Sequence, residues 1–229
     1  MTTKEKLLAL LEDSKGTFFS GEEIARTLQV SRAAVWKAVN ALREDGYTID
    51  AVTNRGYRLS PDSDILSPQG IRRFLKPEYR DLNLTVLPTA PSTNALVREK
   101  ANQGCPEGCV IIACEQTAGR GRYGRQFFSP ADTGVYLSLL LRPTAYSPQQ
   151  ATCLTAAAAA AMCQAIEAVT GQHPGIKWVN DIFLRGKKVC GILTEAAVDL
   201  ETGTLNYMVL GAGVNLYQPT GGFPEEIQP

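Results

Sequence analysis

The chain has 229 residues, with 23 basic and 23 acidic side chains, one histidine and six cysteines. That length suits one large domain or two modest ones, and an apolar share of 44% with 20% charged residues excludes global disorder. Zero net charge argues against a protein that coats nucleic acid or membrane over its whole surface, and leaves localised cationic patches open. The solitary His173 argues against a multi-histidine metal centre and against a Ser–His or Cys–His pair, so no metal site is expected. Cys105, Cys109, Cys114, Cys153, Cys163 and Cys190 form no C-x-x-C pair and read as reduced thiols. The first residues run straight into a charged amphipathic pattern and are no signal peptide. The most apolar helix-length stretch, Ala156–Ala161 with its neighbours, is read as far short of the ~20 residues of a membrane span. A soluble cytoplasmic protein without a membrane partner is expected.

In chain order, Thr2-x-x-Glu5 and Ser20-x-x-Glu23 are capping boxes, each opening a short amphipathic helix. Ser31 caps a third helix with Val35, Val39 and Leu42 inward, and Gly46 suits its C-terminal cap. Two short helices joined by a tight turn form the helix-turn-helix pattern. Tyr47, Ile49 and Ala51, the turn Thr53–Gly56, then Tyr57 and Leu59 predict a β-hairpin, the wing of a winged helix. Arg26, Arg32, Lys37 and Arg43 form a basic stripe with no acidic residue from Ile24 to Arg43, as a phosphate-tracking surface would have. A three-helix packing module with a solvated basic face is the bland alternative. Ser31, Arg32, Trp36, Lys37 and Asn40 are the side chains expected toward a DNA groove, with Arg55 and Arg58 on the wing; Trp36 fits the core equally well.

Ser60–Asp64 is polar and proline-bearing, which predicts a domain spanning residues 1–60, a linker at 61–66 and a second domain over 67–229. Ser67-Pro68 opens a short helix. Beyond residue 80, β-like runs are expected at Leu82–Leu87, Val110–Cys114, Val135–Leu141, Ile176–Val179, Val189–Leu193 and Tyr207–Leu210. One long helix is expected from about Ser147 to Val169, with Pro148 in its first turn and Gly171 ending it. Arg185–Lys188 and Asp199–Gly203 read as hairpin turns. The class is α+β: a winged helix-turn-helix followed by a mixed β-sheet with helices on one side.

Gly119-Arg120-Gly121-Arg122-Tyr123-Gly124-Arg125 matches G-x-G-x-x-G, but no helix can begin at Gln126–Pro130, and a dinucleotide fingerprint requires one there. Nor is it a Walker A loop, since Arg125-Gln126 follows Gly124. Three guanidiniums in seven residues repel one another unless anions intervene, and glycine lets backbone N–H groups approach such anions. The loop therefore reads as one that orders around a phosphate-bearing ligand, or else as a basic surface loop. Lys177–Asp181 and Gly211–Asn215 end strands with polar or small residues that would suit a ligand, or else are strand ends with routine turn chemistry.

Taken together, Ser92-Thr93-Asn94, Gln116, the Gly119–Arg125 loop, Lys177-Trp178-x-Asn180-Asp181, Lys188-x-x-Gly191-Ile192-Leu193 and Gly211-x-Gly213-Val214-Asn215 resemble the biotin–protein ligases. The amino-terminal Ser31–Lys37 resembles the recognition helix of the bifunctional group that also represses biotin genes. The resemblance runs from about residue 4 to 217. It implies the fold shared by biotin ligases and class II aminoacyl-tRNA synthetases, attack of biotin's carboxylate on the α-phosphate of ATP, and transfer from biotinyl-5′-AMP to a lysine of a biotin carboxyl carrier protein, a subunit of acetyl-CoA carboxylase. Biotin and ATP are then substrates, and Mg²⁺ is expected with ATP. Operator DNA is a partner, and the adenylate-bound form a homodimer.

By resemblance, Ser92, Thr93, Asn94, Gln116, Arg120, Gly121, Arg122 and Lys177 bind biotin. Arg120, Arg122, Arg125, Phe127, Asn180 and Asn215 bind the nucleotide, and Lys177 and Arg122 carry catalysis. Three positions depart from the family pattern. Phe127 stands where tryptophan is common, and Val179 where proline is common. The family's carboxy-terminal SH3-like barrel is expected to be missing, so the chain reads as truncated. Alternative readings are a biotin-sensing repressor whose ligase activity is impaired by that truncation, and a lipoyl or octanoyl transferase.

Overall fold

The computed structural model of the chain describes residues 1–143, 150–199, 201 and 203–224. Two compact units are present, Met1–Asp81 and Leu82–Pro229. The division falls later than the composition shift at 61–66, and the difference has a packing cause. The Ser67-capped helix α4 (Pro68–Arg72) lies against α1 (Thr3–Asp13), and Arg73 reaches the buried Glu12 carboxylate at 3.7 Å. Residues 67–81 therefore belong with the amino-terminal unit.

In that unit α1, α2 (Gly21–Leu28) and α3 (Arg32–Glu44) enclose Leu7, Leu11, Ile24, Val35, Val39 and Leu42. Both expected capping boxes form, and Ser31 Oγ accepts from Ala34 N at 3.1 Å. The wing is β1 (Ile49–Val52) antiparallel to β2 (Gly56–Leu59), and Phe19 pairs with Tyr57 beside it. Gly56 has φ +94°, and a β-carbon there would stand 2.0 Å from Phe19 O. Gly56→Ala is accordingly expected to lower the stability of this unit by about 3 kcal/mol, from left-handed strain plus a backbone clash that cannot relax cheaply. Urea unfolding followed by Trp36 fluorescence in a Trp178→Phe background checks it.

The second unit is a seven-stranded mixed sheet in the order β3 (Asn83–Leu87), β4 (Cys109–Ala113), β5 (Gly134–Leu141), β9 (Leu205–Asn215), β8 (Lys187–Val198), β7 (Asp181–Leu184), β6 (Gly175–Lys177). Among the described strands only β3 and β4 pair in parallel, and helix α5 (Thr93–Asn102) connects them, as a parallel pair requires. The six expected strands are present, β8 and β9 running longer than their apolar cores. Sequence reading missed α5, whose inward Val97 and Ala101 are too few for a clear helical stripe, and the short β7. Arg185 and Gly186 make the β7–β8 hairpin turn as expected. The long helix α6 covers Ala151–Thr170 and ends on Gly171. Its expected start at Ser147 and Pro148 lies outside the described residues, as do Leu200 and Thr202 of the Asp199–Gly203 turn.

The expectation of helices on one side is corrected. Strand alternation puts Cys109, Ile111, Leu140 and Val209 on one face, where α5 covers them. Leu137, Cys190, Ile192, Ala212 and Val214 point to the opposite face, under α6. The helices flank the sheet because both of its faces are apolar. The judgement that the alanine-rich stretch is far too short for a membrane span is also corrected: Cys153–Thr170 is long and apolar enough by composition. Its Ala159, Met162, Cys163 and Ile166 pack on the sheet, and most of its other described residues are exposed.

Candidate active site

A cavity opens on the α5 face, where the first turn of α5 meets the segment following β4. Backbone bonds hold the two together: Ala90 N to Glu115 O at 3.0 Å, Thr117 N to Ala90 O at 3.0 Å and Ala118 N to Pro91 O at 2.8 Å. Gln116 N donates to Ser129 O at 2.9 Å, so the chain beyond the glycine–arginine loop returns to the same place.

The polar wall is buried and internally bonded. Thr93 N donates to Gln116 Oε1 at 2.9 Å, and Gln116 Nε2 donates to Ser129 Oγ at 3.0 Å. Ser138 Oγ, fully buried on β5, lies 2.7 Å from Thr93 Oγ1 and 2.6 Å from Asn94 Oδ1. Asn94 Nδ2 donates to Glu195 Oε2 at 2.7 Å, and Arg98 Nη1 reaches the other Glu195 oxygen at 3.4 Å. The floor is glycine by necessity: a β-carbon at 211 would sit 2.1 Å from Asn94 Oδ1, and one at 213 would sit 2.4 Å from the Phe127 ring. That ring also meets Tyr136 edge-on, with centroids 6.4 Å apart.

The glycine–arginine loop forms a narrow hairpin over this floor. Phe127 N donates to Gly119 O at 2.9 Å and Gly121 N to Arg125 O at 2.7 Å, around a 3-10 turn at Arg122–Gly124. No α-helix follows the glycines, so the loop is not a dinucleotide fingerprint. Arg122 Nη1 donates to Asn180 Oδ1 at 3.0 Å, and its guanidinium stacks 5.1 Å from the Tyr123 ring. Asn180 Nδ2 is bonded to Asp181 Oδ1 and Ile192 O, and Lys188 pairs with Asp181 at 2.7 Å. Arg120, Arg122 and Lys188 thus bring three cations to one cavity wall, which suits phosphate oxygens.

Nine of the expected site residues line this cavity: Ser92, Thr93, Asn94, Gln116, Arg120, Gly121, Arg122, Phe127 and Asn180. Three are not among its lining residues. Lys177 is on the exposed edge strand β6, its ammonium 5.5 Å over the Phe183 ring. Arg125 is exposed on the outer side of the loop, and Asn215, ending β9, accepts from Tyr136 Oη at 3.4 Å. Sequence reading missed Ser138, Glu195 and the lining role of Lys188. A lone serine inside the apolar run Gly134–Leu141 was the available signal for Ser138, and a lone carboxylate in Lys187–Val198 the signal for Glu195.

In the amino-terminal unit, Arg32, Trp36 and Lys37 are exposed on α3. Trp36 is 58% exposed, which removes it from the core and leaves the groove-facing reading. Ser31 is exposed with its hydroxyl oxygen engaged as helix cap, and Asn40 is half-buried. Arg55 and Arg58 flank the Phe18 ring at 4.2 and 4.7 Å, and Arg58 also pairs with Asp50 at 2.7 Å. Arg43 leaves the basic stripe, because its guanidinium donates to Ile49 O at 2.6 and 3.1 Å and ties α3 to the wing.

The cysteines and His173 stand apart from this chemistry. All six thiols are free, and burial pushes Cys190 up to about 12 and Cys109 up to about 11. Both are therefore inert as nucleophiles near neutrality. His173 pairs with Glu167 on an exposed surface.

The fold and the cavity, with its hydrogen-bonded wall and arginine loop, place the chain among the ligases. Residues 86–215 match the biotin/lipoate A/B protein ligase family, and residues 3–58 match an HTH domain. The chain belongs to that ligase family. It is 40% identical over 227 residues to the bifunctional ligase/repressor BirA of Bacillus subtilis, covering 99% of this chain and 69% of that one. The BirA of Escherichia coli is 34% identical, with 94% and 64% covered. Among solved structures, the Aquifex aeolicus biotin protein ligase in complex with biotin and ATP is 30% identical with a TM-score of 0.51; the match covers 63% of this chain and 56% of that one.

Proposed function

We propose that the chain activates biotin with ATP to biotinyl-5′-AMP, transfers biotin to a lysine of a biotin carboxyl carrier protein, and represses biotin genes when its adenylate is bound. The observation that carries this reading is one cavity that joins a neutral wall of ordered hydrogen-bonding groups to a cationic one. The neutral wall of Thr93, Asn94 and Gln116 suits a ureido ring; the cationic wall of Arg120, Arg122 and Lys188 suits the carboxylate and α-phosphate that must meet.

In this reading both steps run on alignment and charge neutralisation. Biotin's carboxylate attacks the α-phosphorus and pyrophosphate leaves; the acceptor amine then attacks the acyl carbon and AMP leaves. No protein nucleophile is needed, and the inert buried thiols agree with that. The charged side chains lining the cavity are cations, so Mg²⁺ enters on the triphosphate, where it screens the oxygens as the loop cations do. Phe127 offers a π-face for adenine. Lys177 and Arg125 reach the phosphates if the edge strand and the loop draw in when substrate binds. The acceptor protein, operator DNA and an adenylate-dependent homodimer are the partners of this reading, with the cytoplasm as its setting.

Incubation of the purified chain with biotin and α-labelled ATP tests it: labelled biotinyl-AMP forms, and added carrier protein acquires biotin. Adenylate without transfer would favour the biotin-sensing repressor. For the amino-terminal unit, Arg32→Ala and Lys37→Ala are each expected to weaken duplex DNA binding and to reduce the slope of log K against log salt by about 1, as the loss of one phosphate contact does. Arg43→Ala should leave that slope unchanged. Fluorescence anisotropy across a salt series distinguishes them.

A further inference from the structure

The buried wall of the cavity contains more oxygen atoms than protons to bridge them, and counting those protons leads past the lining residues. Ser138 Oγ contacts both Asn94 Oδ1 at 2.6 Å and Thr93 Oγ1 at 2.7 Å, and it has one proton. Asn94 Oδ1 can only accept, so Ser138 must donate to it. Thr93 must then donate to Ser138. Its contact with Gln116 Oε1 at 3.2 Å is left without a proton, and Gln116 Oε1 already takes Thr93 N–H at 2.9 Å.

Reversing the Asn94 amide would reverse the whole chain. Nδ2 would donate to Ser138, Ser138 to Thr93, and the Thr93 proton would go to Gln116 Oε1 at 3.2 Å, taking up that acceptor. What forbids the reversal is the carboxylate behind Asn94. Glu195 Oε2 takes Asn94 Nδ2 at 2.7 Å, Leu193 O lies 3.4 Å from the same nitrogen, and Arg98 holds the other Glu195 oxygen. A flipped amide would set its oxygen against a carboxylate oxygen and leave the 2.7 Å donation to Glu195 unmade.

We propose that Glu195, held by Arg98, is a positioning residue that fixes the proton direction of the Asn94–Ser138–Thr93 relay, so that Thr93 Oγ1 and Gln116 Oε1 face the cavity as paired acceptors for a ligand N–H. The inference rests on the ligase reading and deepens it. A ureido ring brings N–H donors, and a lipoyl or octanoyl chain brings none. Selection for the ureido ring thus originates in a carboxylate that does not line the cavity.

The test uses the full chain, with biotin titrated calorimetrically and adenylate formation measured alongside. Glu195→Gln, which lets the Asn94 amide turn, raises the biotin Kd and KM at least tenfold while kcat changes less than threefold. Asn94→Asp alone sets two carboxylates against each other and also binds poorly. The double variant N94D/E195Q restores one acceptor-only group facing Ser138 and returns Kd to within about threefold of wild type. A merely structural role gives no such rescue. Arg98→Met, at a half-exposed side chain, loosens the same carboxylate and raises KM twofold to fivefold, and it supplies the reading if E195Q does not fold. Biotin binding by E195Q within twofold of wild type, no rescue in the double variant, or an unchanged KM in R98M overturns the proposal. Wild-type chain that fails to bind biotin overturns the ligase reading itself.

Discussion

Arg122→Ala is expected to slow biotin-dependent adenylate formation by about a hundredfold to a thousandfold, roughly 3–4 kcal/mol of lost transition-state stabilisation. Arg122 is the loop cation whose place is set from two sides: Asn180 Oδ1 at 3.0 Å orients one Nη, and Tyr123 Oη at 3.3 Å meets the other. Its charge is thus aimed before substrate arrives, and reorganisation then costs little. Removing it leaves Arg120 and Lys188, and Lys188 already shares its charge with Asp181. Biotin affinity should fall far less than turnover, because the oxygens that need the guanidinium are those of the attacking carboxylate and the phosphate. Pyrophosphate exchange, read beside calorimetric biotin binding, separates the two. Equal losses in both would assign Arg122 to ground-state binding instead.

Gly211→Ala is expected to weaken biotin binding about a hundredfold with the fold intact. Its β-carbon would stand 2.1 Å from Asn94 Oδ1, so the amide must leave its place and lose both the Ser138 and the Glu195 bonds. A hundredfold loss is about 3 kcal/mol, the scale of re-forming a displaced binding wall before ligand can be held. Gly175→Ala is the control: its β-carbon meets nothing within 4 Å, and binding should not change. Calorimetry on the two variants, with a melting curve for each, checks the contrast. A G211A chain that binds biotin as wild type does would remove Asn94 from the binding wall.

These outcomes depend on residues the sequence revealed unequally. The winged helix was legible because its signals are local: capping boxes at Thr2 and Ser20, a cap at Ser31, a turn at Gly56. The glycine–arginine loop was legible because its composition is unusual and Pro130 forbids a helix after it. Ser138 and Glu195 were not, since each is a single polar residue in an apolar strand, and its partner lies 44 or 101 positions away. The two-sided helix cover was hidden for a related reason. Strands with both faces apolar show no alternation from which a covering helix could be assigned. Lys177 was expected at the site by resemblance, yet it stands on an edge strand over Phe183. Motifs record which residues share a chemistry, and strand packing decides which of them line one cavity.

The ladders on either side of β9 bear on how the molecule opens. With eight register pairs to β5 and nine to β8, this strand cannot exchange its amide hydrogens until most of the sheet has come apart. It carries Gly211 and Gly213, while β6, three pairs long at the margin, carries Lys177. Deuterium should therefore enter the margin and the arginine loop in fast local openings and reach β9 only through global unfolding. The glycine floor of the cavity then has the lifetime of the whole domain, and the short margin strand that carries Lys177 opens many times within it.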